Sequence, residues 1–357
     1  MRGETERALL RQVRRYPLLT AQDCVKLLYQ SEFGPGHMAA PEAETLALLR
    51  EELGLVRTPP VRLVERIGGG LVRFHLDRDR LSPEDLPLVA ACFRLTAAEG
   101  GGTMAGLWEK IGVLQGLVQR QALPLTTAAL AEFLTDYAQR GCPALHHSEV
   151  YAALYQPHYR VMDLDLALYF PVFRAIRAAL DGGDGPVLVA VDGRCAAGKT
   201  TFAARCAQVF PCNVFHMDDF FLPPEKRTGE RLSQPGGNVD WERCAEQVFE
   251  PVSRGGAASV RRYDCASGTL GAAVDYPPRR LNLVEGSYSL HPQLARYSAV
   301  KVFLTCSSKA QRARLERRET PESLKQFKKR WIPLEERYFK GCGLPDAGCL
   351  TVDTGKL

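Results

Sequence analysis

The sequence predicts an α/β fold, a parallel sheet with helices on both faces, preceded by a mainly α-helical N-terminal domain. Three observations predict it. An apolar run, Val187-Leu-Val-Ala-Val191, leads into Gly193-Arg-Cys-Ala-Ala-Gly198-Lys199-Thr200 and then into a helix-compatible segment ending at Pro211. Beyond it, short β-branched or apolar runs alternate with helical ones, the pattern of a parallel sheet covered on both faces. Before the glycine-rich stretch Asp181-Gly-Gly-Asp-Gly-Pro186, apolar residues recur mostly at helical spacing.

Taken in order, helical spacing covers Ala21 to Tyr29, Glu42 to Leu55, Pro83 to Leu95, Ala105 to Gln121 and Thr126 to Ala138. A further helix is expected from Phe170 to Leu180, with Pro171 suited to a first turn, where its missing N–H costs nothing. Strands are expected at Val187 to Val191, Asn213 to Met217, Leu281 to Val284, Val300 to Leu304 and Leu350 to Val352. The expected domains are residues 1–168, helical, and residues 169–357, the α/β part. No repeat of fixed period and no low-complexity tract interrupts them.

At 357 residues, 45% hydrophobic and 24% charged, the chain has the composition of a globular protein long enough for two cores. A formal charge of +5 is too mild to argue for a nucleic-acid partner. Eleven cysteines with no C-x-x-C pair fit free thiols in a reducing compartment better than a disulfide framework. The charged start Met-Arg-Gly-Glu-Thr-Glu-Arg leads into no signal-like apolar block, and no run approaches the roughly 18 apolar residues of a membrane span. The expectation is a cytoplasmic protein whose partner is a small molecule, neither a nucleic acid nor a membrane, and a homo-oligomer stays open.

Gly193 to Thr200 is the G-x-x-x-x-G-K-[ST] phosphate loop, between a buried strand and a helix as its chemistry requires. Its glycines let successive N–H groups and the helix N-terminus converge on an anion. The expected ATP-binding residues are Gly193, Arg194, Cys195, Ala196, Ala197, Gly198, Lys199, Thr200 and Thr201. Lys199 suits the β- and γ-phosphates, and the Thr200 hydroxyl suits magnesium. Cys195 occupies a variable position of the loop and reads as an inert small filler before a redox switch.

Strand C-termini in an open α/β sheet face the ligand crevice. Asp218 and Glu285, at the ends of two predicted strands, are therefore expected at the mouth of the loop, where a carboxylate can take a proton or hold magnesium. Asp219 competes with Asp218, because alternation along an extended segment lets only one of them point inward. In Gln311-Arg312-Ala-Arg314-Leu-Glu-Arg317-Arg318, Arg314 and Arg318 stand at i,i+4 on one helix face, placed to close over a transferring phosphoryl group.

Several segments together resemble the uridine kinase, phosphoribulokinase and pantothenate kinase group of P-loop kinases. They are the phosphate loop, Phe215-His216-Met217-Asp218-Asp219-Phe220-Phe221, Leu283-Val284-Glu285-Gly286, the arginine-rich segment, and Trp331-Ile-Pro333-Leu-Glu-Glu-Arg-Tyr338. The resemblance runs from about Tyr169 to the C-terminus. It implies a nucleoside-kinase-like P-loop fold, with Asp218 as catalytic base beside Lys199, Arg314 and Arg318, and Glu285 with Thr200 on the magnesium side. ATP and Mg2+ are the implied cofactors. Gly236-Gly237-Asn238-Val239-Asp240-Trp241 and Arg262-Tyr263-Asp264 resemble that family's acceptor segments and assign Asp240 and Tyr263 to substrate binding. Cys265-Ala-Ser-Gly268 then departs from the family's pattern, which opens the identity of the acceptor.

No family is recognised for the first half. His37, Glu65, His146 and Glu149 could converge on a metal or an anionic ligand, or be turns, caps and surface histidines. The leading expectation for the chain is an ATP-dependent small-molecule kinase, with uridine or cytidine as first acceptor and pantothenate or a phosphosugar behind. The competing one is an ATP-sensing regulatory or binding protein.

Overall fold

The computed structural model describes residues 2–57, 60–264 and 267–357. The chain divides into two compact units, Met1–Ala167 and Leu168–Leu357.

The first unit contains α1 (Arg2–Arg15), α2 (Ala21–Phe33), α3 (Glu42–Leu55), β1 (Val64–Gly68), β2 (Leu71–His75), α4 (Leu86–Glu99), α5 (Met104–Gln119), α6 (Thr127–Gln139), α7 (Glu149–Tyr155) and β3 (Tyr159–Asp163). Helical spacing located α2 to α6, but the unit also holds an antiparallel sheet in the order β1-β2-β3. Gly69 and Gly70, at φ +65° and +73°, make the tight connection between β1 and β2. Two residues with positive φ are what a twisted two-residue hairpin loop needs, so this glycine motif builds a hairpin. Helices α1, α2, α5 and α6 bury Leu9, Val25, Leu28, Leu107, Ile111, Leu114 and Tyr137 together with Ile67 of β1.

Helix α8 (Leu164–Asp181) begins before the expected position, so Pro171 lies inside it and not in its first turn. Beyond it come β4 (Val187–Gly193), α9 (Lys199–Val209), β5 (Cys212–His216), α10 (Gly229–Ser233), α11 (Trp241–Cys244), α12 (Glu250–Ser253), β6 (Ala258–Asp264) and β7 (Thr269–Tyr276). They are followed by β8 (Leu281–Glu285), α13 (Pro292–Ala295), β9 (Val300–Thr305), α14 (Ser308–Arg318), α15 (Pro321–Gln326), α16 (Ile332–Cys342) and β10 (Cys349–Asp353).

The main sheet has the order β10-β9-β4-β8-β5, and every pairing in it is parallel. Its central strand β4 is buried throughout. Leu188 and Ala190 join a core with Phe215, Val284, Phe249 and Phe303. Phe202 of α9 meets the Tyr169 ring of α8 at 4.9 Å between centroids. Covering on both faces explains the unbroken apolar run of β4. β6 and β7 form a separate antiparallel hairpin, which the sequence reading did not anticipate. Of the departure noted above, Cys265 and Ala266 lie outside the described residues.

Candidate active site

The register of the sheet assembles the site. Pairing of β4 with β9 sets Gly193 opposite Leu304, and pairing of β5 with β8 sets His216 opposite Glu285. Gly193 has φ +136°, and a Cβ there would stand 1.9 Å from the Leu304 carbonyl oxygen, so only glycine lets the loop leave the sheet at this point. Gly198, at φ +89°, is the N-cap of α9. The first N–H groups of α9 have no intrahelical acceptors, and with the positive end of the helix dipole they favour an anion.

Lys199 Nζ donates to the carbonyls of Gly193 at 2.7 Å and Arg194 at 3.1 Å, folding back along the loop. Thr200 Oγ1 donates to Glu285 Oε1 at 3.2 Å. His216 Nδ1 lies 2.6 Å from the same oxygen, and that hydrogen bond holds the His216 pKa above its ordinary value. Magnesium is held by oxygen ligands, with one or two carboxylates completed by substrate phosphates and water. The adjacent Thr200 and Glu285 oxygens fit that donor set. Among the described residues, no group of three or more His, Cys, Asp or Glu is arranged to hold a metal by itself.

Asp218 and Asp219 lie on a 3-10 turn, Met217–Phe220, directly after β5. The strand alternation expected to choose between them therefore stops short of both. Their partners differ instead. Asp219 Oδ2 pairs with Arg262 Nε at 3.5 Å, while Asp218 has no hydrogen-bonded or ion-paired partner among the described residues. Asp218 is open to solvent, yet desolvation by the surrounding protein, then the Glu285 charge, raise its pKa against the pull of Lys199. A carboxylate so tuned is a stronger proton acceptor than an ordinary aspartate.

The two arginines of the expected pair have different partners. Arg314 is tied down: Nη1 donates to the Ala196 carbonyl at 3.1 Å and to Thr354 Oγ1 at 3.0 Å, and Nη2 to the Thr354 carbonyl at 2.6 Å. It braces the phosphate loop against the turn after β10. Arg318 pairs with Glu319 at 2.6 Å and lies over the Phe327 ring, more than half exposed.

The acceptor assignments also change. Asp240, 1% exposed, caps α11, with Lys226 Nζ at 3.2 Å from both its oxygens and Arg243 Nε at 3.5 Å. A carboxylate saturated in this way is a structural cap in this conformation, not an open receptor for vicinal hydroxyls. Tyr263 is buried on β6, and its hydroxyl accepts from Arg227 Nη2 at 3.2 Å.

Three further groups escaped the sequence reading. Asp192, fully buried at the end of β4, accepts from the N–H groups of Gly193 at 2.7 Å, Leu290 at 3.0 Å and Tyr288 at 3.3 Å, and from the Tyr338 hydroxyl at 2.8 Å. An acidic residue inside an apolar strand was the available signal. Glu335 of α16 accepts the Cys195 N–H at 2.9 Å and the Ser287 hydroxyl at 2.5 Å, and Glu336 pairs with Arg194. Burial and the Glu335 charge push the Cys195 thiol up to about 12, which leaves it inert.

A strand, a glycine-entered loop and a helix thus surround the expected anion position beside two strand-end carboxylates. The second unit is a parallel α/β sheet with a phosphate-loop motif at the C-terminal end of its central strand. No family model matches the chain. It is 28% identical over 145 residues to the inorganic pyrophosphatase TTM2 of Arabidopsis thaliana, a stretch of 38% of this chain and 20% of that protein, so the chain spans about a fifth of that relative's length. Two solved structures each match about half of the chain. One is described as a possible uridine kinase from Bacillus stearothermophilus, with 18% identity, 51% of this chain and 96% of that one covered, and a TM-score of 0.39. The other is a D-glycerate 3-kinase from Cryptococcus neoformans, with 14% identity, 54% and 96% covered, and a TM-score of 0.39. Among the described residues, no helix is long and apolar enough to cross a membrane.

Proposed function

We propose that the second unit is an ATP-dependent phosphotransferase acting on a hydroxyl of a small, nucleoside-like molecule. The observation that supports this most is Asp218, an unpartnered carboxylate with a raised pKa, under the electrostatic influence of both Lys199 and Glu285. In the proposed reaction Asp218 accepts the proton of the acceptor hydroxyl as its oxygen bonds to the γ-phosphorus, and the bridging oxygen leaves with ADP. Lys199 turns from the Gly193 and Arg194 carbonyls to the phosphates, and the loop N–H groups hold them in line. Magnesium, when bound through Thr200 and Glu285, would offset charge on the β- and γ-phosphates. Arg318, not anchored to the loop, is the arginine left to approach the transferring group.

Asp240 as a cap weakens the link to a ribose acceptor, and Arg227 with Arg262 beside Tyr263 and Asp219 favours an acceptor that itself carries negative charge. A phosphosugar is therefore the second reading, with pantothenate behind it. The test is ADP release with magnesium-ATP across nucleosides, phosphosugars and pantothenate, comparing the native chain with Asp218→Asn. Acceptor-dependent turnover that falls at least 100-fold in the variant is expected, the scale of a lost general base. Bound ATP with no acceptor-dependent turnover would overturn the reading in favour of an ATP sensor.

A further inference from the structure

The first unit buries two cations against neutral partners. Arg73 is 1% exposed, and its N–H groups go to amide oxygens: Nε and Nη2 to Gln30 Oε1 at 3.1 and 2.9 Å, Nη1 to Gln12 Oε1 at 3.1 Å. Its guanidinium lies 4.7 Å from the Tyr159 ring centroid. Lys26, also buried, donates to the Leu145 carbonyl at 2.6 Å. Buried charges are ordinarily paired with opposite ones.

The two neighbouring carboxylates act on these cations only at a distance, and their hydrogen bonds go elsewhere. Asp23 accepts from Thr20 N at 2.9 Å, Ser148 N at 3.0 Å and Ser148 Oγ at 2.6 Å, and its Oδ1 lies 2.9 Å from His147 Nδ1. Glu65 pairs with His75 at 3.3 Å and Arg15 at 3.4 Å. Because Arg73 has only donors, both glutamine oxygens must face it, which turns Gln30 Nε2 to the Tyr159 oxygen at 3.2 Å. The Tyr159 hydroxyl then donates to His147 Nε2 at 2.7 Å, and His147 Nδ1–H donates to Asp23. Each side chain along this run thus has an acceptor for at least one of its hydrogens. Gln12 is the exception: 3% exposed, it has a buried Nε2 with no acceptor among the described residues.

We infer that the first unit carries a second ligand site, which takes a tetrahedral oxyanion, free phosphate or the phosphoryl group of a small molecule, between Gln12, Lys26, Arg73 and Tyr159. A phosphoryl group brings several acceptor oxygens and negative charge to a place rich in donors, where neither cation has a carboxylate within ion-pair distance among the described residues. Burial and the Arg73 charge lower Lys26 to about 8, so the two cations already act on each other. His37 and His146 are both exposed, and partial burial first, then the Lys26 and His146 charges, lower the His37 pKa. They give the site a polar rim. Of the expected quartet His37, Glu65, His146 and Glu149, the first three border this cluster, and the proposal takes up the anion alternative.

The test uses the full chain carrying Lys199→Met, so that the phosphate loop does not report, with inorganic phosphate as probe and acetate as the planar-anion control. Phosphate is expected to raise the melting temperature and to slow amide exchange in α2, β2 and around Ser148, with acetate much weaker. Adding Gln12→Leu should weaken phosphate binding about tenfold at unchanged circular dichroism. Adding Gln12→Glu sets a carboxylate beside Arg73 and should abolish the phosphate effect while raising the melting temperature without phosphate. Exchange unchanged in these segments at saturating phosphate, or equal phosphate affinity in all three proteins, would overturn the inference. A glycerol phosphate arm that binds more tightly than inorganic phosphate assigns the site to a phosphorylated small molecule, and equal affinity assigns it to the free ion.

Discussion

Tyr338 of α16 donates its hydroxyl hydrogen to Asp192 Oδ2 of β4 at 2.8 Å, and neither side chain reaches solvent. The contact joins the strand that launches the phosphate loop to the helix whose Glu335 holds that loop from the other side. Burial pushes the Asp192 carboxyl up to about 6 against the hydrogen bonds that favour its charged form. Tyr338→Phe leaves a buried carboxylate one donor short and is expected to cost about 1–3 kcal/mol at pH 8, measured by urea unfolding. Below about pH 6 the native carboxyl is protonated, the missing donor matters less, and the cost should shrink. A cost independent of pH would show that Tyr338 acts by packing alone.

Gly193→Ala tests the exit from β4. The added methyl would meet the Leu304 carbonyl at 1.9 Å with φ at +136°, and neither backbone can give way without breaking the β4–β9 register. The variant is expected to lose about 3 kcal/mol or more, the range of steric and backbone strain at such positions, and to lose nucleotide-dependent stabilisation in a thermal melt. Gly183→Ala, in the open stretch before β4, should leave both unchanged.

Glu335→Ala probes the far side of the loop. One carboxylate oxygen fixes the Cys195 N–H at 2.9 Å and the other the Ser287 hydroxyl at 2.5 Å. Charged hydrogen bonds of this kind hold the loop ready for phosphates at no reorganisation cost. If the phosphotransferase reading holds, KM for ATP should rise about tenfold, equal to about 1.4 kcal/mol, with kcat changed less. Glu335→Gln keeps one acceptor and should lie between native and alanine.

How the second unit folds could be read in advance because β4 is apolar on both faces and Gly193 to Thr200 allows few backbone paths. The ends of β5 and β8 were legible to within one residue, the expected strands ending at Met217 and Val284 and the observed ones at His216 and Glu285. What Arg314 and Asp240 do was not, because their partners, Thr354 and Lys226, belong to segments that carry no pattern of their own and meet them only after folding. The β1–β2 hairpin was legible and missed. Gly69-Gly70 between Val64-Glu-Arg-Ile and Leu71-Val-Arg-Phe is a turn signal between two short strands, but Val64, Ile67, Leu71 and Phe74 recur three and four residues apart, which is easily absorbed into a helical period. The buried polar face of that sheet is hidden from any reading of apolar periodicity, since Glu65, Arg73 and His75 occupy positions such a reading assigns to solvent.

Acid should unfold the first unit before neutral pH does any harm, and the groups responsible can be separated. Burial lowers the His147 pKa to about 4 despite its bond to Asp23. Unfolding lets the ring return to about 6.5 and take up a proton. The contribution of His147 is therefore complete above pH 6.5 and is lost as the pH falls towards 4. Burial alone would raise Glu65, but the His75 hydrogen bond and the Arg73 charge outweigh it and bring the carboxyl to about 2, so its contribution is lost from about pH 4.5 downward. Asp23, held below the usual carboxylate range when the bonds from His147 and Ser148 overcome burial, adds to the same acid limb. Melting curves followed by circular dichroism should fall in two stages, from pH 6.5 to 4.5 and below 4.5. His147→Gln has nothing to titrate in the first interval and should flatten it while keeping the second. If the first stage survives in that variant, another group carries it and the neutral tautomer assigned to His147 is wrong.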